Sequence, residues 1–185
     1  MTQETVYPLL ESALVRLRCL EPEDLELLYT IENDPRMWEV GLNRRPYSYY
    51  ALRQYIAQQP HDFFQDGELR LVVEERASGQ AVGLIDLANY SPVDRRAEVG
   101  IALLAERRGE GLGGSALDVL ERYAARVLHV RLFYALVMPE GSPASRNLFQ
   151  RAGYALCGHL PGWHLYRERY ADVEIYLKNI EKKCS

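Results

Sequence analysis

Cysteine is scarce and scattered in this chain. Cys19, Cys157 and Cys184 are the three it carries in 185 residues, too few and too far apart for a disulfide framework or a thiolate zinc site. His61, His129, His159 and His164 show no ligand spacing, so no metal is expected. Positive charge is not in excess: the formal net charge is −4, which removes compositional support for nucleic-acid binding. No apolar run is long enough to span a membrane, and Met1 to Glu11 lacks the basic and apolar blocks of a signal peptide. A cytoplasmic enzyme or binding protein remains. At 48% hydrophobic, the chain has apolar residues enough for one domain, 1–185, with a sizeable core.

Glycine, by contrast, is concentrated. Arg107-Arg108-Gly109-Glu110-Gly111-Leu112-Gly113-Gly114-Ser115 runs straight into an apolar-periodic stretch in which Leu112, Ala116, Leu117, Leu120, Tyr123, Ala124, Val127 and Leu128 recur at helical spacing. Upstream, Val99-Gly100-Ile101-Ala102-Leu103-Leu104 reads as a buried strand. Strand, glycine turn and helix together aim a helix N-terminus and bare backbone N–H groups at an anion, and Arg107 and Arg108 add charge. A pyrophosphate is the expected guest. Gly109-x-Gly111-x-x-Gly114 satisfies the dinucleotide pattern, but Arg131–Ala135 lacks the acid that pattern wants on the next strand. A P-loop needs lysine before Ser115, where Gly114 stands.

The rest of the chain reads in order. Leu14–Arg18 alternates as a strand. Glu21-Pro22-Glu23-Asp24 opens a helix that stops near Asn33-Asp34-Pro35. Trp38 to Tyr47 reads as irregular, Ser48 caps a helix through Gln58, and Pro60–Gly67 is a loop. Leu69–Glu75, Ala81–Tyr90 and Arg96–Leu104 form an antiparallel meander. Leu132–Met138 is a strand, Ser142-Pro143 starts a helix that Gly153 ends, and Tyr154–Leu160 and Val173–Leu177 close the sheet. The order β-α-α-β-β-β-α-β-α-β-β describes a mixed α/β sandwich of the α+β kind.

Arg108-x-x-Gly111-x-Gly113 resembles the R/Q-x-x-G-x-G/A loop of the GNAT superfamily, which seats the pyrophosphate of acetyl-CoA. Ser145-x-x-Leu148-Phe149-x-x-x-Gly153-Tyr154 resembles that superfamily's second cofactor motif. With Leu17-Arg18-x-Leu20-Glu21-x-Glu23-Asp24-Leu25 and Arg95-Arg96-Ala97-Glu98, the resemblance covers roughly Leu14 to Lys178 and is nearest to bacterial spermidine N-acetyltransferases and ribosomal-protein N-terminal acetyltransferases. It implies a mixed, mostly antiparallel sheet of about seven strands, splayed between the fourth and fifth and flanked by about four helices. It also implies acetyl-CoA as co-substrate, held by Ile101, Ala102 and Leu103 on the strand, Arg108, Gly109, Glu110, Gly111, Leu112, Gly113 and Gly114 in the loop, and Ser142 and Phe149 beyond it. The acceptor is a small-molecule amine, a polyamine first, or a peptide N-terminus; a coenzyme-A-binding module without catalysis is the alternative of another class. Neither nucleic acid nor membrane is an expected partner, and self-association stays open.

N-acetylation needs a base for the amine, a donor for the thioester oxygen and a proton for the leaving thiolate. Glu98 and Asp86 are the candidate catalytic carboxylates; the plain alternative is an Arg95 or Arg96 ion pair for Glu98 and an exposed face for Asp86. Glu32, Asn33, Trp38, Asp86 and Asn89, with Asp34 and Glu39 nearby, are the candidate acceptor-binding residues, or else a solvated helix end around a core tryptophan. Two departures from the family stand out. Phe149 replaces the tyrosine that protonates the thiolate, leaving Tyr134, Tyr154 and Tyr166 as substitutes, and Ser142 stands where an asparagine is frequent. Arg44-Arg45-Pro46-Tyr47-Ser48 is basic where the spermidine enzymes are acidic, which suits an acidic tail, a negatively charged small amine or a subunit contact.

Overall fold

The computed structural model describes residues 8–40, 45–59 and 62–180; Arg44, His61 and Cys184 lie outside them. The chain runs β1 (Val15–Arg18), α1 (Leu25–Glu32), α2 (Pro35–Val40), α3 (Tyr49–Ala57), α4 (Phe63–Asp66), β2 (Leu69–Glu75), β3 (Ala81–Ser91), β4 (Arg96–Leu103), α5 (Leu112–Arg126), β5 (Leu132–Val137), α6 (Pro143–Arg151), β6 (Ala155–Tyr166) and β7 (Arg169–Asn179). The strands form one sheet in the order β1-β2-β3-β4-β5-β7-β6. β4 and β5 are parallel and every other neighbouring pair is antiparallel.

Strand alternation sorts the core onto two faces. Val73, Ile85, Val99, Phe133 and Tyr176 bury one face under the apolar stripe of α5, with Ala116, Leu117, Leu120 and Ala124. Val72 and Leu84 bury the other under α1 and α3, with Leu27, Leu28, Ile31 and Leu52. Ser48 caps α3 as its sequence suggests, its Oγ accepting from the Ala51 N–H at 3.1 Å.

Two helices differ from the sequence reading. Asp34-Pro35 ends α1 and also starts α2: Asp34 Oδ1 accepts from the Arg36 N–H at 2.9 Å, and proline occupies the first helical position. Trp38 therefore sits on a helix instead of in irregular chain. Likewise α4 falls inside the expected loop, capped by Asp62, which accepts from the Phe64 N–H at 2.9 Å. β6 and β7 also run longer than expected, because a register shift between Leu160 and His164 absorbs Pro161-Gly162-Trp163 and lets pairing continue to Tyr166↔Arg169.

Arg18 pins the first turn before α1 to the sheet. Its guanidinium donates to Asp24 Oδ2 and Oδ1 at 2.7 and 2.9 Å and to Glu74 Oε2 at 2.7 Å. Asp24 is only 4% exposed. Burial pushes its carboxyl up, but bonds from Arg18 and from the Glu21 N–H outweigh this and hold it below its ordinary value. Arg18→Met is expected to cost about 3 kcal/mol at neutral pH, since it strands buried carboxylates. A carboxyl depressed in the fold stabilises it above the ordinary carboxylate range, and that contribution is lost as pH falls through the folded-state value. The gap between wild type and variant should therefore narrow in acid, as urea titrations at several pH values will read.

Candidate active site

The site begins where β4 and β5 part. They pair at Arg96↔Leu132, Ala97↔Phe133 and Glu98↔Tyr134, and there the ladder stops. The remainder of β4, through Leu103, has β3 on one side and an open edge on the other. The Leu104 N–H bonds the Val82 carbonyl at 3.0 Å. Antiparallel alternation from that bond turns the main-chain groups of Gly100 and Ala102 towards β3 and those of Val99, Ile101 and Leu103 towards the open edge. Of the three residues expected to present backbone there, Ile101 does so and Leu103 offers its N–H, its carbonyl being taken by Arg108, whereas Ala102 is engaged with β3.

Beyond Leu103 the chain makes a single 3₁₀ turn, Ala105–Arg107, and enters the glycine turn. Gly109 and Gly111 have φ of +84° and +82°, a left-handed backbone that side chains strain. The first helical bond of α5 runs from the Ser115 N–H to the Gly111 carbonyl at 3.1 Å, leaving the N–H groups of Leu112, Gly113 and Gly114 at the helix mouth. A Cβ at Gly109 or Gly114 would meet nothing within 4 Å, so both stand in open space. Bare N–H groups, a helix N-terminus and an uncovered approach fit a pyrophosphate. Neither arginine is aimed there. Arg107 pairs with Glu75 and with Glu110. Arg108 donates through Nε and Nη2 to the Leu103 carbonyl at 3.1 and 3.0 Å, closing the end of β4. Their charge reaches an anion through space, without direct bonds in this arrangement.

Two acids face the α1 side of the sheet. Asp86 is level with Gly100, and Glu98 with Ala88, which makes the acids diagonal neighbours about 7–8 Å apart. Gly100 leaves the floor between them bare, since a Cβ there would touch Asp86 at 3.8 Å. Glu98 accepts from Asn89 Nδ2 at 2.8 Å and lies level with Tyr134. Arg96, one of the two arginines named as partners for Glu98, pairs with Asp94 at 3.3 Å and also lies beside Tyr134, where its charge pulls the phenol pKa down. Burial, then the charge of Glu98, raises the Tyr134 phenol pKa, so it keeps its proton at neutral pH.

Asp86 is not an exposed acid. Arg70 donates to both its oxygens, Nε to Oδ1 at 2.8 Å and Nη2 to Oδ2 at 3.1 Å, and its Nη1 donates to Glu32 Oε1 at 2.8 Å. Arg70, which the sequence reading passed over, thus ties two of the expected acceptor residues to each other. It lines a cleft of about 190 Å³ with Asp86, Ala88, Tyr55, Gln59 and Glu68.

Other expected residues have structural duties. Both ends of the Asn33 amide bond Tyr47 backbone, at 3.1 and 2.8 Å. Trp38 Nε1 donates to the Glu32 carbonyl at 2.7 Å and braces α2 on α1. Glu39 receives Arg167 from the β6–β7 turn. Ser142 begins α6, its Oγ 2.5 Å from that of Ser145. Phe149 is 4% exposed and packs edge-on to Tyr154 at 5.0 Å, inside the core under α5. Of the three tyrosines named as stand-ins, Tyr154 lies in that core and Tyr166 packs with Met138 and Val173. Tyr134 alone of them stands level with Glu98.

Parted parallel strands beside an anion-ready helix mouth, with a carboxylate at the parting, define an enzyme that works on a group delivered by a long phosphate-bearing carrier. The chain belongs to the acetyltransferase (GNAT) domain family, which matches residues 15–155; it is an N-acetyltransferase with acetyl-CoA as acyl donor. A spermidine N(1)-acetyltransferase of Vibrio cholerae is 27% identical over 158 residues, 85% of this chain and 88% of that protein. A crystal structure of the Vibrio cholerae spermidine N-acetyltransferase with CoA and spermine superposes with a TM-score of 0.80 at 25% identity, covering 91% of this chain and 96% of that one. A ribosomal-protein-serine acetyltransferase of Escherichia coli K12 is 26% identical over 104 residues, 56% of this chain and 58% of that protein.

Proposed function

We propose that the chain is a cytoplasmic enzyme that acetylates the primary amine of a small molecule, polyamines first among them, and that Glu98 and Asp86 receive that amine. The observation that carries this is the pair of carboxylates flanking bare Gly100, at the point where β4 leaves β5. An ammonium is drawn to two acids on one sheet face, and β4 brings it beside the open strand edge.

Acetyl-CoA supplies an activated acyl group and a thiol leaving group. Glu98, held by Asn89, takes the amine's proton directly or through water. The Ile101 N–H, turned to the open edge, is the backbone donor for the thioester oxygen. Tyr134 retains a proton beside Glu98 and gives it to the departing thiolate, a role that buried Phe149 has no hydrogen to perform. The helix mouth at Leu112, Gly113 and Gly114 holds the pyrophosphate.

The spermidine enzymes among the relatives support a polyamine acceptor. The ribosomal-protein enzyme supports a second reading, a peptide N-terminus, which exposed Arg45 on the chain entering α3 would favour if the peptide were acidic. Release of free thiol from acetyl-CoA, measured with polyamines, amino acids, aminoglycosides and N-terminal peptides, tests both. Turnover of a small amine is expected. Turnover of peptides alone would move the assignment to the second reading, and none with any acceptor would sink the proposal.

A further inference from the structure

We infer that Arg70 sets how much positive charge the acceptor can carry: it is a built-in counter-cation that turns the site towards amines with one or two charges and away from tri- and tetra-amines. This rests on the reading of the site as a small-amine acetyltransferase's and narrows the polyamines named there to diamines, against the spermidine that the relatives' names carry. An amine whose reacting nitrogen lies at Glu98 extends its remaining length over Gly100 towards Asp86 and then Glu32, the acids facing that side. Without Arg70 these two would be a pair of counter-ions for two further ammonium groups. With it, Asp86 is held at both oxygens and Glu32 at one, and Glu32, Asp86 and Arg70 sum to −1 where the acids alone would give −2.

The guanidinium is well fixed. Its side chain is 28% exposed, and its central carbon lies 5.5 Å from the centre of the Tyr55 ring. Three of its five N–H groups are committed, which pins it where a second or third ammonium would have to settle. A bidentate arginine–carboxylate pair is among the stronger charge-assisted contacts. A polycation must therefore displace Arg70 or sit against it, whereas a monoamine or short diamine reaches Glu98 and the near side of Asp86 without displacing the guanidinium. Glu68, lining the same cleft, adds negative charge farther out, so the selection acts at Arg70 itself and not across the whole face.

The test is kcat and KM for propylamine, putrescine, spermidine and spermine with wild type, Arg70→Met and Glu32→Gln. Wild type should lose kcat/KM from putrescine to spermine. Arg70→Met should raise spermidine and spermine relative to propylamine by about tenfold or more, chiefly through KM, as expected when a like charge is removed at close range. Glu32→Gln leaves the arginine with one acid and should depress the tri- and tetra-amines further. Arg70→Gln, which keeps a hydrogen bond to Asp86 without the charge, replaces the methionine variant should that one not fold. Equal amine ratios in all proteins, or a uniform loss that follows a lowered Tm, would overturn the inference and leave Arg70 a clamp between α1 and the sheet. Absence of turnover for every amine in every variant, with acetyl-CoA still bound, would overturn the proposed function and this inference with it.

Discussion

Gly111→Val is expected to abolish useful acetyl-CoA binding while the sheet stays folded. Gly111 sits at φ +82° immediately before α5, where a β-branched residue is strained. The protein has room for it: an added Cβ would come no nearer than 3.8 Å, to Leu14 Cδ1. Strain at one such position costs on the order of 1–3 kcal/mol, which shifts the turn rather than unfolding the chain. The shift matters because the N–H groups of Leu112, Gly113 and Gly114 converge only if the chain enters the helix by this turn. Losing two charge-assisted hydrogen bonds weakens binding by roughly 100-fold. Gly114→Val separates strain from blockage. Gly114 has ordinary φ and open space around it, so the side chain there disturbs nothing in the protein and only covers the approach. Calorimetry should find both variants weak, with far-UV circular dichroism near wild type. Wild-type affinity in either would remove the phosphate site from this turn.

How far the sequence discloses this site depends on which forces act locally. The glycine turn, the Ser48 cap and the three-strand meander are legible because each is set by neighbours a few residues apart. α2 was legible too, in Asp34-Pro35, but the same dipeptide ends α1, and the stop signal masked the start. Arg70 is the instructive miss. The β2–β3 hairpin pairs Glu74 with Ala81, and that register, continued unbroken, would set Arg70 opposite Ile85. A shift between Val73 and Glu74 moves it to Asp86. A one-residue slip exchanges sheet faces, and no local pattern in Leu69–Glu75 announces the slip. The Arg108 contact is hidden for a related reason: a chain reversal at Ala105–Arg107 brings it back to the Leu103 carbonyl, a contact between residues five apart that charge alone does not reveal. Ser142-Pro143 and Gly153 mark the ends of α6 in the sequence, yet only packing shows that Phe149 is core, with its ring against Tyr154 and no hydroxyl to satisfy.

Glu98→Gln should lower kcat by about 10²-fold at neutral pH, the lower part of the range for a positioned base, with acetyl-CoA affinity unchanged. Asp86→Asn should act mainly on KM, because Asp86 is already held at both oxygens by Arg70 and meets the amine as a fixed counter-ion. Tyr134→Phe should also lower kcat, and pH tells the two losses apart. The Glu98 defect is one of deprotonating an ammonium, so it should shrink as pH approaches the amine's own pKa, where the neutral nucleophile is already abundant. The Tyr134 defect should not shrink there. Burial and the Glu98 charge hold its phenol pKa above the ordinary value, so the wild type keeps its acid as pH rises from neutral, and the phenylalanine variant lacks it throughout. Profiles of kcat from about pH 7 to about pH 10 should therefore converge on wild type for Glu98→Gln and run parallel below it for Tyr134→Phe. Convergence in both would make Tyr134 a partner that tunes Glu98 instead of a proton donor, and flat losses in both would make the pair structural.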